Sequence, residues 1–339
     1  MTAHAISSSA AIDAAKRRDE LIAFAVLFLV LAAAPAVIYP FFLMQALCFA
    51  LFACAFNLLI GYVGLLSFGH AMFLGLAGYV SAHMAKVGTI DIGSANFGIH
   101  LNFGPMNPLV AILFGVAASA ILGVLTGALA IRRQGIYFAM ITLALSQMIY
   151  FFCLQAPFTH GEDGIQGVPQ GKLLLGHIDL SQQTTMYYFV LAIFVVGFAI
   201  IHRVVNSPFG DVLKSIRENE PRAISLGYKS DQYKLAAFVL SAALVGLAGA
   251  TKSIVAQNAS LTDVHFAMSG EVVLMTLVGG LGTFFGPIVG AFIIVAMQNY
   301  LAGFGQWVQV IQGVIFVACV LAFRRGIVGE IAHRLGISL

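Results

Sequence analysis

Residues 41–61 read FFLMQALCFALFACAFNLLIG, a run of 21 residues that contains no charged side chain. An α-helix of this length spans about 30 Å, which equals the thickness of the hydrocarbon core of a bilayer. Similar apolar runs recur along the chain of 339 residues, of which 60% are hydrophobic and only 9% are charged. A soluble domain could not bury so much apolar surface. The segment is therefore predicted to be one of several membrane spans.

The fold class that these runs predict is an all-α polytopic membrane protein with about ten transmembrane helices. A transmembrane β-barrel would instead need segments of about 10 residues that alternate between apolar and polar, and the sequence has no such pattern. The candidate spans are 21–39, 41–61, 66–85, 108–130, 136–155, 186–204, 235–256, 268–281, 285–302 and 307–323. They form one transmembrane domain over 21–323, with tails at 1–20 and 324–339.

The distribution of basic residues predicts which ends of the spans face the cytoplasm, because Lys and Arg favour the cytoplasmic side of short connections. With ten spans, 14 of the 17 basic residues fall on one face, and both tails lie on that face. The connections 86–107 and 156–185 then lie on the outer face. An alternative for the first span is a cleaved secretory signal with Ala34-Pro35-Ala36 as its cleavage site.

Two glycine-rich segments occupy corresponding parts of the two halves of the chain. The first is GYVGLLSFGH at 61–70, and the second is GGLGTFFGP at 279–287. Paired glycine and proline interruptions indicate broken helices around a transport pathway, where unwound backbone lines a cavity. The alternative is close helix packing, because glycine lets two backbones approach each other. The sequence leaves both interpretations open.

A polar island at 207–229, SPFGDVLKSIRENEPRAISLGYK, carries seven charged residues in this largely apolar chain. Ser207 before Pro208 is typical of a helix N-terminus. Pro221 ends a first helix and starts a second one, which Gly227 terminates. The island is therefore predicted to form two short cytoplasmic helices between the sixth and seventh spans, where a partner can dock. The alternative is a solvated loop that only supplies positive charge.

The polar and apolar side chains of the island are expected to have different surroundings. Apolar side chains should face a protein surface, and these are Ala223, Ile224 and Leu226. Charged side chains should face water or a partner, and these are Arg217, Glu218, Glu220 and Arg222.

Residue patterns that indicate enzymes are incomplete in this sequence. GLAGATKS at 246–253 resembles a phosphate-binding loop, but that motif requires glycine immediately before the lysine, where Thr251 stands. Ser67 and His70 are three residues apart and have no acidic residue to orient the histidine, which argues against an intramembrane hydrolase. The four cysteines form no CxxC pair, and the nine histidines are scattered. We expect no enzymatic activity and no cofactor or metal bound by this chain.

Two ionisable residues lie near the ends of predicted spans. Glu271 is near the start of the span 268–281, where the helix dipole stabilises negative charge or where it would contact a solute. Lys252 is near the outer end of the span 235–256, and its flexible stem is expected to let the ammonium group reach the membrane surface.

From about residue 45 to 329, the sequence resembles the permease subunits of bacterial branched-chain amino acid ABC transporters, specifically the M-type subunit. Five motifs in the same order carry the resemblance: NLLIGYVGLLSFGHAMF at 57–73, RQGIYFAMITL at 133–143, THGEDGIQGVP at 159–169, the island followed by KLAAFVLSAALVGLAG at 234–249, and GGLGTFFGPIVGA at 279–291. Three places depart from the family pattern: His160-Gly161-Glu162 for the usual Gly-Gly pair, Arg324-Arg325-Gly326 for Pro-Arg-Gly, and the polar loop from Asp91 to Asn107.

The resemblance implies an importer subunit that binds no nucleotide itself. It implies pairing with a homologous H-type permease and with two cytoplasmic ATPase subunits, which use ATP and magnesium, and delivery of the solute by a periplasmic solute-binding protein. The island would be the coupling helix that docks on the ATPase. The residues at the recurrent coupling positions are Arg217, Glu218, Asn219, Glu220, Ala223, Leu226 and Gly227.

The function that the resemblance implies is inward transport of branched-chain or other small amino acids across the bacterial inner membrane by alternating access. The predicted pathway residues are Gly61, Gly64, Ser67, His70, Thr142, Glu271, Gly279, Gly280 and Gly282. Urea, short amides and aromatic acids are alternative solutes for the same architecture. A self-contained channel or ion-coupled carrier is a further alternative, but it would need charged residues near the membrane midplane, where this sequence has few.

Overall fold

The computed structural model describes residues 24–94, 97–102, 104–173, 178–305, 307–323 and 326–335. These residues form a bundle of α-helices with short antiparallel strand pairs at one end. The helices are α1 (Phe24–Ala36, ending in a 3-10 turn), α2 (Pro40–Tyr62), α3 (His70–Lys86), α4 (Pro108–Ala130), α5 (Ile136–Gln155), α6 (Gln183–Val205), α7 (Pro208–Ser225), α8 (Ser230–Val255), α9 (Phe266–Gly279), α10 (Gly286–Tyr300), α11 (Trp307–Ala322) and α12 (Gly326–Leu335).

The predicted spans correspond to helices of this bundle. The spans 108–130 and 136–155 coincide with α4 and α5, and the ends of the other described helices lie within five residues of their predictions. Among the described residues, five helices are long and apolar enough to cross a membrane: α2, α4, α5, α6 and α8. The start of the first span and the tail 1–20 lie outside the described residues. A total of about ten crossings stays a prediction, because α1, α9, α10 and the segment Val310–Cys319 of α11 are shorter apolar helices.

Proline and glycine mark many of the helix ends, which explains why the sequence predicts them closely. Pro40 and Pro108 lie in the first turns of α2 and α4, where a missing N–H costs no hydrogen bond. The side chain of Asn107 caps α4 by accepting a hydrogen bond from the N–H of Leu109 at 3.2 Å. Gly280 follows α9 with a φ angle of 124°, a conformation that favours glycine.

The bundle is built around α2. In its most apolar window 89% of the residues are buried, compared with 33% in α4 and in α5, which have large exposed apolar faces. Around this centre, α8 packs closely on α3 and α4 through small residues. A Cβ atom at Gly249 would lie 2.0 Å from the carbonyl oxygen of Leu74, and one at Gly246 would lie 2.5 Å from Cβ of Ser119. These glycines therefore serve close packing.

We call the end of the bundle that carries α7 the island end. The other end, the opposite end, carries the connections predicted to be outside the cell. One of them forms a hairpin of β1 (Thr89–Ser94) and β2 (Phe97–Asn102), and another contains β3 (Ile165–Gln166), β4 (Lys172–Leu173) and β5 (Ile178–Asp179). Strand β3 pairs with β6 (Asn258–Ala259), which follows α8.

Candidate functional site

The island forms two helices, as its sequence predicts. The Ser207 side chain accepts a hydrogen bond from the N–H of Gly210 at 3.4 Å, and α7 begins at Pro208. Asn219 has non-helical φ and ψ angles of −157° and 91°, which divide α7 into a first island helix (208–218) and a second island helix (220–225). The Asn219 side chain caps the second helix by accepting a hydrogen bond from the N–H of Arg222 at 3.1 Å.

Arg217, near the end of the first island helix, reaches both glycine-rich segments. Its guanidinium group donates a hydrogen bond to the backbone carbonyl of Gly61. A Cβ atom at Gly64 would lie 3.1 Å from Cγ of Arg217, and one at Gly282 would lie 3.4 Å from its Nη1. Gly64 and Gly282 also have positive φ angles, 80° and 73°, which favour glycine. Arg217 therefore contacts α2, the connection after α2 and the connection between α9 and α10.

Asn57 of α2 links the same two segments from within the bundle. Its side-chain amide donates a hydrogen bond to the carbonyl of Thr283 at 3.0 Å and accepts one from the N–H of Gly282 at 3.1 Å. A Cβ atom at Gly61 would lie only 2.4 Å from Oδ1 of Asn57 and 3.0 Å from Cα of Gly282. Sequence reasoning missed Asn57 as a site residue, although an amide within an apolar span was a signal for it.

The last described helix packs against the second glycine-rich segment. A Cβ atom at Gly326, where α12 begins, would lie 2.3 Å from Cα of Gly280. The predicted tail 324–339 thus contains a helix that packs on the glycine connection between α9 and α10. We call the contacts of Arg217, Asn57, Gly61, Gly64 and Gly282 the glycine junction.

Glu220 does not face water or a partner, and that prediction is wrong. Its carboxylate lies 2.5 Å from the ammonium group of Lys234 on α8, and only 16% and 3% of the two side chains are exposed. It also accepts a hydrogen bond at 2.9 Å from the side chain of Gln134, between α4 and α5. A buried ammonium group needs such an acidic partner. The local pattern of the island could not reveal a partner 14 residues away on another helix.

The remaining predicted coupling residues divide between the bundle and the surface. Ala223 is buried against the bundle, while Glu218 and Gly227 are exposed. Ile224 and Leu226 were expected to face a protein surface, but within this chain they are 53% and 70% exposed. Within the described residues, these two apolar side chains are therefore left largely uncovered.

Ser67 and His70 belong to a buried hydrogen-bond chain across three helices. Nδ1 of His70 lies 2.9 Å from Oγ of Ser67, and Nε2 lies 3.1 Å from Oγ of Ser241 on α8. Ser241 in turn donates a hydrogen bond to the carbonyl of Ala55 on α2 at 2.6 Å. Because the Ser241 proton is used there, we assign the His70 proton to Nε2 and the Ser67 proton to the bond with Nδ1. This series of hydrogen bonds joins α2, α3 and α8. Ser241 bonds Nε2 of His70 at the position where a hydrolase would need a carboxylate.

Thr142 fixes α5 against the first glycine-rich segment. Its hydroxyl group accepts a hydrogen bond from the N–H of Phe68 at 3.2 Å and donates one to the carbonyl of Ala139 at 2.9 Å. Beside this contact lies an open, mostly apolar cavity of about 450 Å³. Its walls are Gly64, Leu65, Leu66, Phe68, Gly135, Ile136, Ala139, Met140 and Leu143.

Glu271 lies in the second turn of α9, so the prediction of a charge at the helix N-terminus is wrong. The helix begins at Phe266, and its first turn contains no acidic residue. Glu271 is half-buried and accepts a hydrogen bond from the side chain of Gln298 on α10 at 2.8 Å. Gln298 also borders a cavity of about 380 Å³ at the opposite end, together with Tyr39, Phe41, Gln45, Val295, Asn299 and Ala302.

Lys252 does not extend freely to the membrane surface, contrary to the prediction. Its ammonium group pairs with the carboxylate of Asp263, and only 13% of each side chain is exposed. The same ammonium group lies 5.1 Å from the centre of the Phe49 ring, which adds a cation–π contact. The pair joins the end of α8 to the 3-10 turn before α9.

The predicted pathway residues therefore fall into three places. Gly61, Gly64 and Gly282 meet at the glycine junction, with Gly279 and Gly280 beside it. Ser67, His70 and Thr142 lie deeper in the bundle, and Glu271 lies near the opposite end. Among the residues that the structure describes, no cluster of three His, Cys, Asp or Glu side chains could hold a metal ion.

A bundle with several long apolar helices, exposed apolar faces and glycine connections defines a multi-pass membrane protein. Residues 38–320 match the family described as branched-chain amino acid transport system / permease component. Because the match covers most of the chain, the protein belongs to this family of transport permeases.

Curated relatives agree with the M-type resemblance. The chain is 25% identical over 321 residues to the high-affinity branched-chain amino acid transport system permease protein LivM of Escherichia coli, which is 86% of this chain and 72% of that protein. It is 25% identical over 285 residues to the LivM protein of Salmonella typhimurium, 77% of this chain but only 63% of that protein.

A more distant relative is the H-type protein of an archaeon. The probable permease protein LivH of Methanocaldococcus jannaschii is 27% identical over 181 residues, 49% of this chain and 56% of that protein. No solved structure matches the chain significantly.

Proposed function

We propose that this protein is a permease subunit of a bacterial ABC importer in the inner membrane, with both termini in the cytoplasm. It moves branched-chain or other small amino acids inward by alternating access, and partner ATPase subunits supply the energy. The proposal extends to this chain the amino acid transport for which the LivM relatives are named. The partners are a homologous H-type permease, two ATPase subunits and a periplasmic solute-binding protein.

The observation that carries the proposal is the contact of Arg217 with the glycine junction. A surface helix that only supplied positive charge would not need a side chain bonded to the backbone of α2. Through Arg217, a displacement of the first island helix acts directly on the connections at 63–69 and 280–285. These connections join helices whose relative tilt must change in an alternating-access transporter. Ile224 and Leu226 offer exposed apolar side chains to the ATPase.

The charged groups of the bundle favour a transporter that is driven by a partner protein. They argue against an ion-coupled carrier. Lys234 pairs with Glu220 and Lys252 with Asp263. Glu271 is bonded to the neutral amide of Gln298. An ion-coupled carrier needs ionisable groups that exchange ions with a pathway, and paired or amide-bound groups are poorly suited to that task.

The test is solute uptake into proteoliposomes that contain this chain, its H-type partner, the ATPases and the binding protein. We expect uptake of labelled leucine or a similar amino acid that requires ATP and the binding protein. Competition by urea, short amides and aromatic acids identifies the solute class. Uptake by this chain alone, without ATP, would overturn the proposal.

A pair of arginine substitutions on the island makes this test specific. Arg217→Gln removes the contact with Gly61 and should reduce ATP-driven uptake. Arg222→Gln removes the same charge from an exposed position on the second island helix and serves as its control. Equal uptake by the two variants would show that the glycine junction does not carry the coupling.

A further inference from the structure

We propose that Asn219 is a hinge between two arms of the island, and that each arm moves a different group of membrane helices. The inference rests on the proposed function, because it names the residues through which a partner ATPase would act. The first arm is the first island helix with Arg217. The second arm is the second island helix with Glu220.

The first arm is attached to α2 and to the connection between α9 and α10. Leu213 and Ile216 bury its apolar face, with 0% and 3% of the side chains exposed. Arg217 then extends from the end of this helix to the carbonyl of Gly61 and over Gly282. Movement of the first arm therefore changes the position of the glycine junction.

The second arm is attached to α8 and to the connection between α4 and α5. Ala223 is buried, and Glu220 bonds both Lys234 and Gln134. Lys234 lies in the first turns of α8, which begins at Ser230. Because the carboxylate and the mostly buried ammonium group attract each other at 2.5 Å, the second arm stays attached to the start of α8 when it moves.

The two attachments lead to different packed units of the bundle. On one side, α8 packs on α4 and α3, and Ser119 of α4 donates a hydrogen bond to the carbonyl of Phe73 on α3 at 2.9 Å. On the other side, α9 and α10 form a close pair, in which a Cβ atom at Gly290 would lie 1.8 Å from the carbonyl oxygen of Met275. Helix α2 packs on both units, so the first arm acts on the α9–α10 side of α2 and the second arm acts on the α8–α4 side.

The join between the arms is suited to bending. Asn219 leaves the helical conformation, and Pro221 has no N–H with which to continue the hydrogen bonds of the first helix. The cap between the Asn219 side chain and the N–H of Arg222 starts the second helix anew. A change of φ and ψ at Asn219 can therefore alter the angle between the arms without breaking either helix.

The experiment is a double-mutant cycle in the reconstituted transporter, with Arg217→Gln, Glu220→Gln and the double variant. The readout is the amount of solute moved per ATP hydrolysed. If each arm moves its own helices, each single variant lowers this ratio, by about fivefold for a coupling of ordinary size, and the two losses multiply in the double variant. If the ratio of solute to ATP in the double variant is no lower than in the more impaired single variant, the island acts as one rigid lever. That result would overturn the hinge.

Matched controls separate these effects from loss of charge. Arg222→Gln removes a charge from an exposed arginine, and Asp211→Asn removes one from a carboxylate that is 75% exposed and pairs with Lys214 on the surface. Neither should change the ratio of solute to ATP. The exchange Glu220→Lys with Lys234→Glu restores an attachment of opposite polarity and should recover part of the lost ratio.

A distance measurement tests the hinge directly. Spin labels at Ser215→Cys and Ser225→Cys, one on each arm, should report different distances in nucleotide-free and ATP-bound complexes, and identical distances would overturn the hinge. The proposed function fails separately, because it requires the wild-type complex to show ATP-driven uptake. If the wild type transports while the cycle and the distances show one rigid body, only the hinge is wrong.

Discussion

The side chain of Arg217 and the backbone carbonyl of Gly61 form a hydrogen bond between residues 156 positions apart in the sequence. The bond joins a surface helix to the end of the most buried helix of the bundle. The planar guanidinium group carries five N–H donors, so it can bond one group while lying over another, which a compact ammonium group cannot do. The contact should therefore be sensitive to replacement by lysine.

Gly61→Ala should disrupt the glycine junction. The added Cβ atom would lie 2.4 Å from Oδ1 of Asn57 and 3.0 Å from Cα of Gly282, so the two segments must separate. We expect a loss of roughly 1–3 kcal/mol in the free energy of unfolding, as for other overpacked sites, and a loss of uptake. Thermal unfolding of the detergent-solubilised protein measures the first effect.

Gly270→Ala is the matched control, because it also replaces a helical glycine. Nothing lies within 4 Å of the Cβ position at Gly270. Alanine has the higher helix propensity, so this variant should be as stable as the wild type or more stable by about 0.5–1 kcal/mol. If both variants unfold at the same temperature, the contact between Gly61 and Gly282 does not constrain the fold.

Asn57→Ala should destabilise the protein by roughly 2 kcal/mol, because it leaves the N–H of Gly282 and the carbonyl of Thr283 without their side-chain partner. Asn299→Ala removes an exposed amide from α10 and should shift the unfolding midpoint little. The comparison of the two midpoints checks the prediction, and a harmless Asn57→Ala change would show that the connection at 280–285 is held by other contacts.

Ser241→Ala should destabilise the protein by breaking the buried hydrogen-bond chain through His70. Without the hydroxyl group, Nε2–H of His70 and the carbonyl of Ala55 both lose a partner, at a cost of roughly 1–3 kcal/mol. Ser225→Ala, on the exposed second island helix, should stay within about 0.5 kcal/mol of the wild type. Unfolding midpoints that move equally would show that the buried hydrogen bonds of Ser241 do not stabilise the fold.

The ion pair of Lys252 and Asp263 should behave as a buried pair. Asp263→Asn alone leaves a mostly buried ammonium group uncompensated and should cost roughly 3–5 kcal/mol, whereas Lys252→Met together with Asp263→Asn should recover much of that loss. The corresponding changes at Asp211 and Lys214, a surface pair, should cost less than about 1 kcal/mol. Chemical or thermal unfolding of the four variants distinguishes the two kinds of pair.

Local signals in the sequence account for the helices that were predicted well. Apolar runs long enough to cross a bilayer, with Pro40 or Pro108 at their start, define α2 and α4 without reference to any other part of the chain. The division of the island is equally local, since a cap at Asn219 and a proline two residues later are sufficient to end one helix and begin another.

Interactions between distant segments account for the errors. Glu220 and Lys252 look like solvated charges in sequence, and only the packing of α7 against α8 and of α8 against the turn before α9 brings Lys234 and Asp263 beside them. The role of Asn57 depends on the approach of a loop more than 200 residues later. The side chains of Ile224 and Leu226 are exposed within this chain, and under the proposed function they contact the ATPase.

Both polar side chains at the glycine junction, Asn57 and Arg217, recognise main-chain atoms. Main-chain groups are common to all residues, so the side chain of Leu281, which is 40% exposed between Gly280 and Gly282, has little part in that recognition. In a saturation mutagenesis library, position 281 should accept many substitutions, while positions 57, 61, 217 and 282 accept few. Substitutions that accumulate at position 281 can therefore change the surface of this loop without changing its backbone geometry.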